Sequence, residues 1–219
     1  FLKRAWAEID LDALEHNYNE IKKLAKGKDI LAVVKANAYG HDDKAVCLKL
    51  QELGVKYYGV SNLWEGEKLR CHGITGTILT FGYTDEDYFD ELLEYGITQT
   101  AGSVQYAKQL SDYAVSKGVK LPVHIKVNTG MTRVGIDSQQ EMLDILAMPG
   151  LDCKAAYTHF AAADSLDPSD VEYTDRQQEK LMKIAKDKGL LIHSQNSGGI
   201  IYHGDFGGCL LYTSPSPRD

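Results

Sequence analysis

Val33-Val34-Lys35-Ala36-Asn37-Ala38-Tyr39-Gly40-His41 is the stretch that decides how this chain is read. An apolar run over 30–34 ends in a lysine and then breaks into Asn and Gly, the pattern of a buried strand that delivers one amine to a loop. Side chains alternate along a strand, so Lys35 shares a face with Val33, and an ammonium there is costly unless it is paired or discharged. Such a lysine is a candidate Schiff-base former. Position alone equally allows a lysine that snorkels to the strand edge.

Outward from this strand, the chain alternates. Residues 6–11 alternate apolar and polar and predict a short strand, with Asp10 or Asp12 capping the helix that follows. In that helix Leu14, Tyr18, Ile21 and Leu24 recur at helical spacing, and Gly27 ends it. Beyond the lysine strand, helices are predicted over 43–53, 64–71, 85–95, 104–117, 139–147 and 170–188. Strands are predicted between them over 57–60, 78–81, 97–101, 123–127, 153–159 and 191–196.

This order is that of βαβ units on a parallel sheet, either doubly wound or closed as a (β/α)8 barrel. No Gly-x-Gly-x-x-Gly follows the first strands, which argues against a dinucleotide fold. Lys35, Asn62, Lys126, Asn128, His159 and Asn196 fall at or near strand C-terminal ends, the rim on which barrel enzymes build their sites. Counting from the lysine strand gives seven barrel strands. The eighth is expected to be missing, because its place falls where the composition changes, and a barrel so opened would expose two sheet edges.

The 219 residues, 43% hydrophobic and with a net charge of −7, predict one soluble domain with a real core. With no basic cluster, nucleic acid is not expected as a partner. No apolar run reaches the ~20 residues of a membrane span and no secretory leader opens the chain, so it is cytoplasmic in character. Cys47, Cys71, Cys153 and Cys209 lack metal-site spacing and are expected to be reduced thiols. The chain opens on Phe1 rather than Met, so residues are expected upstream. Residues 209–219, ending Tyr-Thr-Ser-Pro-Ser-Pro-Arg-Asp, resemble a sequencing-library adapter translated in frame, the other reading being a Pro/Ser-rich linker. The expected division is a domain over 1–208 and a non-native tail.

Three further stretches carry chemistry. In His124-Ile-Lys126-Val-Asn128-Thr-Gly130-Met131-Thr-Arg133, Val123, Ile125 and Val127 share one face, so His124, Lys126 and Asn128 are expected to face the lumen. Cations gathered there need an anion, although Lys126 on its own also reads as a structural barrel lysine. Tyr157-Thr-His159-Phe160 ends the sixth strand, where a lone histidine reads as a satisfied core residue as readily as a site residue. His193-Ser-Gln-Asn196-Ser197-Gly198-Gly199 ends the seventh with a glycine-rich start of helix, either a phosphate cradle or a polar helix cap.

Taken together, these four segments resemble the N-terminal barrel of alanine racemases. The resemblance implies a truncated (β/α)8 TIM-type barrel of the pyridoxal phosphate (PLP) fold type III, without the C-terminal β-domain. It implies that Lys35 carries PLP and is the catalytic lysine. Tyr39 and Ser197 would contact its phosphate, with Asn196 beside it. Arg133 would bond the phenolic oxygen, Lys126 would be carbamylated to hold that arginine, and His159 would lie against the ring. Carbamylation also fits physically, since it turns a buried ammonium into an anion beside a guanidinium. No metal is implied. The segment over 123–136 is similar to the serine/alanine racemases of vancomycin-resistance clusters, whose racemase part follows a membrane domain.

The activity so implied is interconversion of L- and D-alanine, or serine, for peptidoglycan precursors, in a homodimer. In the family a second acid/base, a tyrosine, comes from the partner subunit's C-terminal domain, and an arginine on strand eight faces the pyridine nitrogen. Neither role is carried onto Tyr212 or Arg218, so a longer parent is expected to racemise and this chain poorly or not at all. The alternatives are a non-catalytic PLP-carrier barrel, a PLP-dependent decarboxylase and a plain scaffold barrel.

Overall fold

The computed structural model of the chain describes residues 5–204 and 210–213. Strand β1 (Asp29–Val33) is buried on both faces from Ile30 onward, as expected of a strand covered by helices outside and by the lumen inside. It is followed by β2 (Tyr57–Val60), β3 (Thr77–Thr80), β4 (Ile97–Ala101), β5 (Leu121–Lys126), β6 (Leu151–Tyr157), β7 (Leu191–His193) and β8 (Leu210–Thr213). All pair parallel in the order β7-β6-β5-β4-β3-β2-β1-β8, and β7 and β8 come close at the two ends.

The helices are α1 (Leu11–Leu24), α2 (Lys35–Tyr39), α3 (Asp43–Glu52), α4 (Leu63–Cys71), α5 (Phe89–Glu94), α6 (Val104–Ser116), α7 (Gln139–Leu146), α8 (Pro168–Ala185) and α9 (Ser197–Tyr202). Helix α2 is a special turn described below. The cap expected on α1 is in place, and α7 carries one that was not singled out in the sequence. Asp10 accepts from the amides of Asp12 and Ala13 at 3.0 and 2.9 Å, and Ser138 with Glu141 forms a capping box on α7.

The main core lies between sheet and helices, where Val34, Tyr58, Ile78, Ile97, Ile125 and Ile192 meet Leu50, Leu69, Leu110, Ile145 and Leu181. The lumen is divided. On the β1–β3 side Leu31, Val33 and Leu79 pack with Tyr57 and Phe81. The β4–β7 side is polar. The Thr100 hydroxyl lies 2.8 Å from the Tyr157 hydroxyl and donates to the Thr80 carbonyl at 2.7 Å. His124 Nδ1 lies 3.1 Å from His193 Nε2, and the Tyr157 ring stacks on His193 at 4.7 Å with 3° between planes.

Burial pushes His124 down from 6.5 to about 4, and His193 falls for the same reason, reinforced by the charges of His124 and Lys126. Above pH 6.5 the histidine is neutral in both states. Below it the unfolded chain takes a proton that the folded lumen refuses, so stability is complete above pH 6.5 and drains away toward pH 4. His124 alone is expected to cost about 2 kcal/mol between pH 7 and pH 5. A urea midpoint unchanged or higher at pH 5 would contradict this.

Three expectations are corrected. Residues 6–10 form no strand, because both edges of β1 are taken, by β2 and by β8. The helix expected over 85–95 is a 3₁₀ turn (Glu86–Tyr88) followed by α5. The eighth place in the sheet, expected to be empty, holds Leu210–Thr213 paired with Asp29 to Ala32, so that edge of β1 is covered. Cys47, Cys71 and Cys153 are free thiols, while the side chain of Cys209 and residues 214–219 lie outside the described residues. Among the described residues no helix is long and apolar enough to cross a membrane, and no His/Cys/Asp/Glu group could hold a metal.

Candidate active site

Where β1 ends, the chain turns left-handed. Ala36, Asn37, Ala38 and Tyr39 have φ of 51°, 58°, 51° and 55° before Gly40 at 85°. A left-handed helix costs a non-glycine residue roughly 1–2 kcal/mol, so this turn must be held from outside. Glu65 on α4 accepts from the Ala36 amide at 2.8 Å, and its other oxygen accepts from the Ser61 amide and hydroxyl, each at 2.7 Å. Asn37 Oδ1 accepts from the Asp43 amide at 3.1 Å and from Lys68 Nζ at 3.4 Å, and Lys68 pairs with the buried Asp43 at 2.8 Å. Lys35 Nζ consequently lies 5.5 Å from the centre of the Tyr39 ring, both side chains reaching one cavity.

The loop after β5 carries Arg133. Asn128 organises it, accepting from the amides of Gly130 and Thr132 at 3.2 and 3.0 Å and donating to Asp137 at 3.0 Å. Tyr173 on α8 donates to the Gly130 carbonyl at 3.0 Å. Gly135, at φ 138°, closes the loop by reciprocal backbone bonds of Ile136 with Lys126 and Asn128, both 2.9 Å. Lys126 Nζ donates to the Val127 carbonyl at 2.9 Å and reaches Thr158 Oγ1 at 3.5 Å. Burial first, and the Arg133 charge second, lower its amine to about 8. Burial, then Arg133, Lys126 and Lys35, push His159 down to about 4.

On the far rim Asn196 caps α9, its side chain accepting from the Gly199 amide at 2.9 Å. Gly198 leaves no room for a Cβ, which would lie 2.8 Å from the Ala163 and Asp164 backbone, so the turn with Ser197 sits tight against the loop after β6.

These pieces surround one cavity of about 580 Å³. Lys35, Tyr39, Lys126, Arg133, His159, Asn196 and Ser197, all singled out in the sequence, line it, together with Ser61, Phe81 and Tyr157, which were not. Asn62 and Asn128 do not: Asn62 caps α4, and Asn128, expected in the lumen, holds the Arg133 loop. Among the described residues three cations line the cavity and no carboxylate does, so it favours an anionic ligand.

The fold is thus a parallel β/α barrel in which a strand-end lysine, two further cations and a serine turn line one rim cavity. The chain belongs to the alanine racemase family: the family model "Alanine racemase, N-terminal domain" matches residues 9–211. It is 40% identical over 210 residues to an alanine racemase of Clostridium perfringens, covering 91% of this chain and 54% of that protein. It is 38% identical over 207 residues to one from Desulforamulus reducens, covering 90% of this chain and 55% of that protein. Alanine racemase of Clostridium difficile 630 superposes with a TM-score of 0.90 at 32% identity, covering 98% of this chain and 58% of that one. A histidine racemase from Leuconostoc mesenteroides gives 0.85 at 25% identity, covering 94% and 57%. The chain thus spans about half the length of the curated relatives it matches.

Proposed function

We propose that this chain is the cofactor-binding half of a PLP-dependent amino-acid racemase acting on alanine, with serine as the alternative substrate. The observation that carries the proposal is the convergence of Lys35, Arg133, Lys126, His159 and Ser197 on one cavity without a carboxylate among the described residues. A phosphorylated aldehyde fits that donor set. Lys35 would hold its carbonyl carbon, Tyr39 and Ser197 its phosphate, and Arg133 its phenolic oxygen. Bound there, PLP supplies an electron sink that acidifies the Cα of an attached amino acid.

The protein's own residues do the rest. Lys35 would take or return the Cα proton on its own face. His159, held neutral, offers apolar ring surface rather than a competing cation. Lys126, lowered to about 8, has the free amine that carbamate formation requires, and as a carbamate it would neutralise Arg133. A buried lysine and an exposed arginine lining the same cavity favour catalysis over a passive PLP carrier, which has no use for them.

Inversion needs a second acid/base on the opposite face, which a homodimeric parent would supply from a partner subunit. Incubated with PLP in D2O, the chain is therefore expected to exchange the Cα hydrogen of one alanine enantiomer without interconverting the two. Equal exchange of both, or no PLP uptake by the folded chain, would overturn the proposal.

A further inference from the structure

We infer that Glu65 is the positioning residue for Lys35: its carboxylate ties the first left-handed residue after the lysine to the end of β2, and so fixes where the amine enters the cavity. The inference rests on the reading of Lys35 as the cofactor-bearing amine.

The last backbone bond holding this segment to β2 runs from the Val34 amide to the Gly59 carbonyl at 2.8 Å. Past that point the chain leaves the ladder, and the exposed Ala36 would present its amide to water if Glu65 did not accept it at 2.8 Å. The second carboxylate oxygen is occupied by Ser61, itself a cavity residue, through both amide and hydroxyl at 2.7 Å. Glu65 is rigidly mounted. It sits in the first turn of α4, its amide held by the Asn62 side chain at 3.0 Å, so the carboxylate can hold the lysine turn in register.

Downstream, Asn37 with Asp43 and Lys68 pins the same turn from the α3 side. Lys35 is thus fixed by a clamp after it and by the strand before it. Glu65 also stays outside the cavity lining, so its charge is used on N–H and O–H donors and leaves the anion site positive.

Glu65→Gln tests this. The amide keeps the size of the carboxylate but turns one terminal oxygen into an NH2 donor, which must face either the Ala36 amide or the Ser61 amide, both donors. PLP titration of the chain is expected to show about tenfold weaker uptake in Glu65→Gln. Asp10→Ala, which removes a helix cap with no hydrogen bond to the lysine turn, is expected to lower the urea midpoint yet take up PLP as the wild type does. Hydrogen exchange at the Ala36 amide is expected to be protected in the wild type and fast in Glu65→Gln.

Uptake within twofold of wild type in Glu65→Gln, an equal loss in Asp10→Ala, or an unprotected Ala36 amide in the wild type would overturn the inference. Failure of the wild type itself to take up PLP would overturn the functional reading instead, and the amide exchange would still judge the clamp.

Discussion

Lys35→Ala is expected to abolish PLP-dependent visible absorbance and all Cα exchange while leaving the fold intact. The side chain reaches into the cavity and meets no carboxylate there among the described residues, its amine lying 5.5 Å from the centre of the Tyr39 ring. Its removal takes away a partly exposed amine and no core packing, so stability should change by less than about 1 kcal/mol in urea unfolding. A Lys35→Ala chain that still held PLP as tightly as the wild type would show that the cavity binds through its phosphate contacts alone.

The largest stability effect is expected from Gly135→Ala. A Cβ there would lie 2.4 Å from the Asn128 amide nitrogen and 2.7 Å from the Val127 carbonyl carbon, at a φ of 138° that L residues rarely adopt. Backbone atoms cannot step aside as a flexible side chain can, so about 3 kcal/mol of destabilisation is expected. The bond pair of Ile136 with Lys126 and Asn128 would open, displacing Arg133 and weakening PLP uptake with it. Gly54 provides the comparison: at φ 90° a Cβ meets nothing within 4 Å, so Gly54→Ala should cost only about 1 kcal/mol. Equal urea midpoints for the two variants would contradict this account of the Arg133 loop.

The fold was legible where one face of an element is apolar and its neighbours in the sheet are also its neighbours in sequence. Strand 97–101 and the start of α6 at Val104 fall where periodicity places them. The stretch over 6–11 has the alternation of a strand, but alternation does not say whether an edge is free to pair with it. The eighth strand was not legible for a related reason, since a change of composition does not say whether a segment pairs with an open edge.

Within the site, the lysine, arginine, histidine and serine were legible because they stand in long contiguous segments. Asn62, Asn128 and Asn196 share the same strand-end position, yet two lie outside the cavity lining while the third both caps a helix and reaches the cavity. For Asn62 the spacing to Glu65 is that of a cap followed three residues later by an acid, a signal present in the sequence. Glu65 itself was not legible, because its bond to Ala36 spans 29 residues and exists only once four residues have turned left-handed. Tyr157 was hidden likewise, its hydroxyl meeting Thr100 and its ring His193 across the lumen.

The proposed function turns on which amine receives the cofactor. Lys126 is the rival, buried beside the same cavity and with its amine lowered to about 8. Incubation of the chain with PLP, borohydride reduction and peptide mapping separates them. A pyridoxyl label confined to Lys35 is expected; a label on Lys126, or one spread over surface lysines, would overturn the assignment of Lys35.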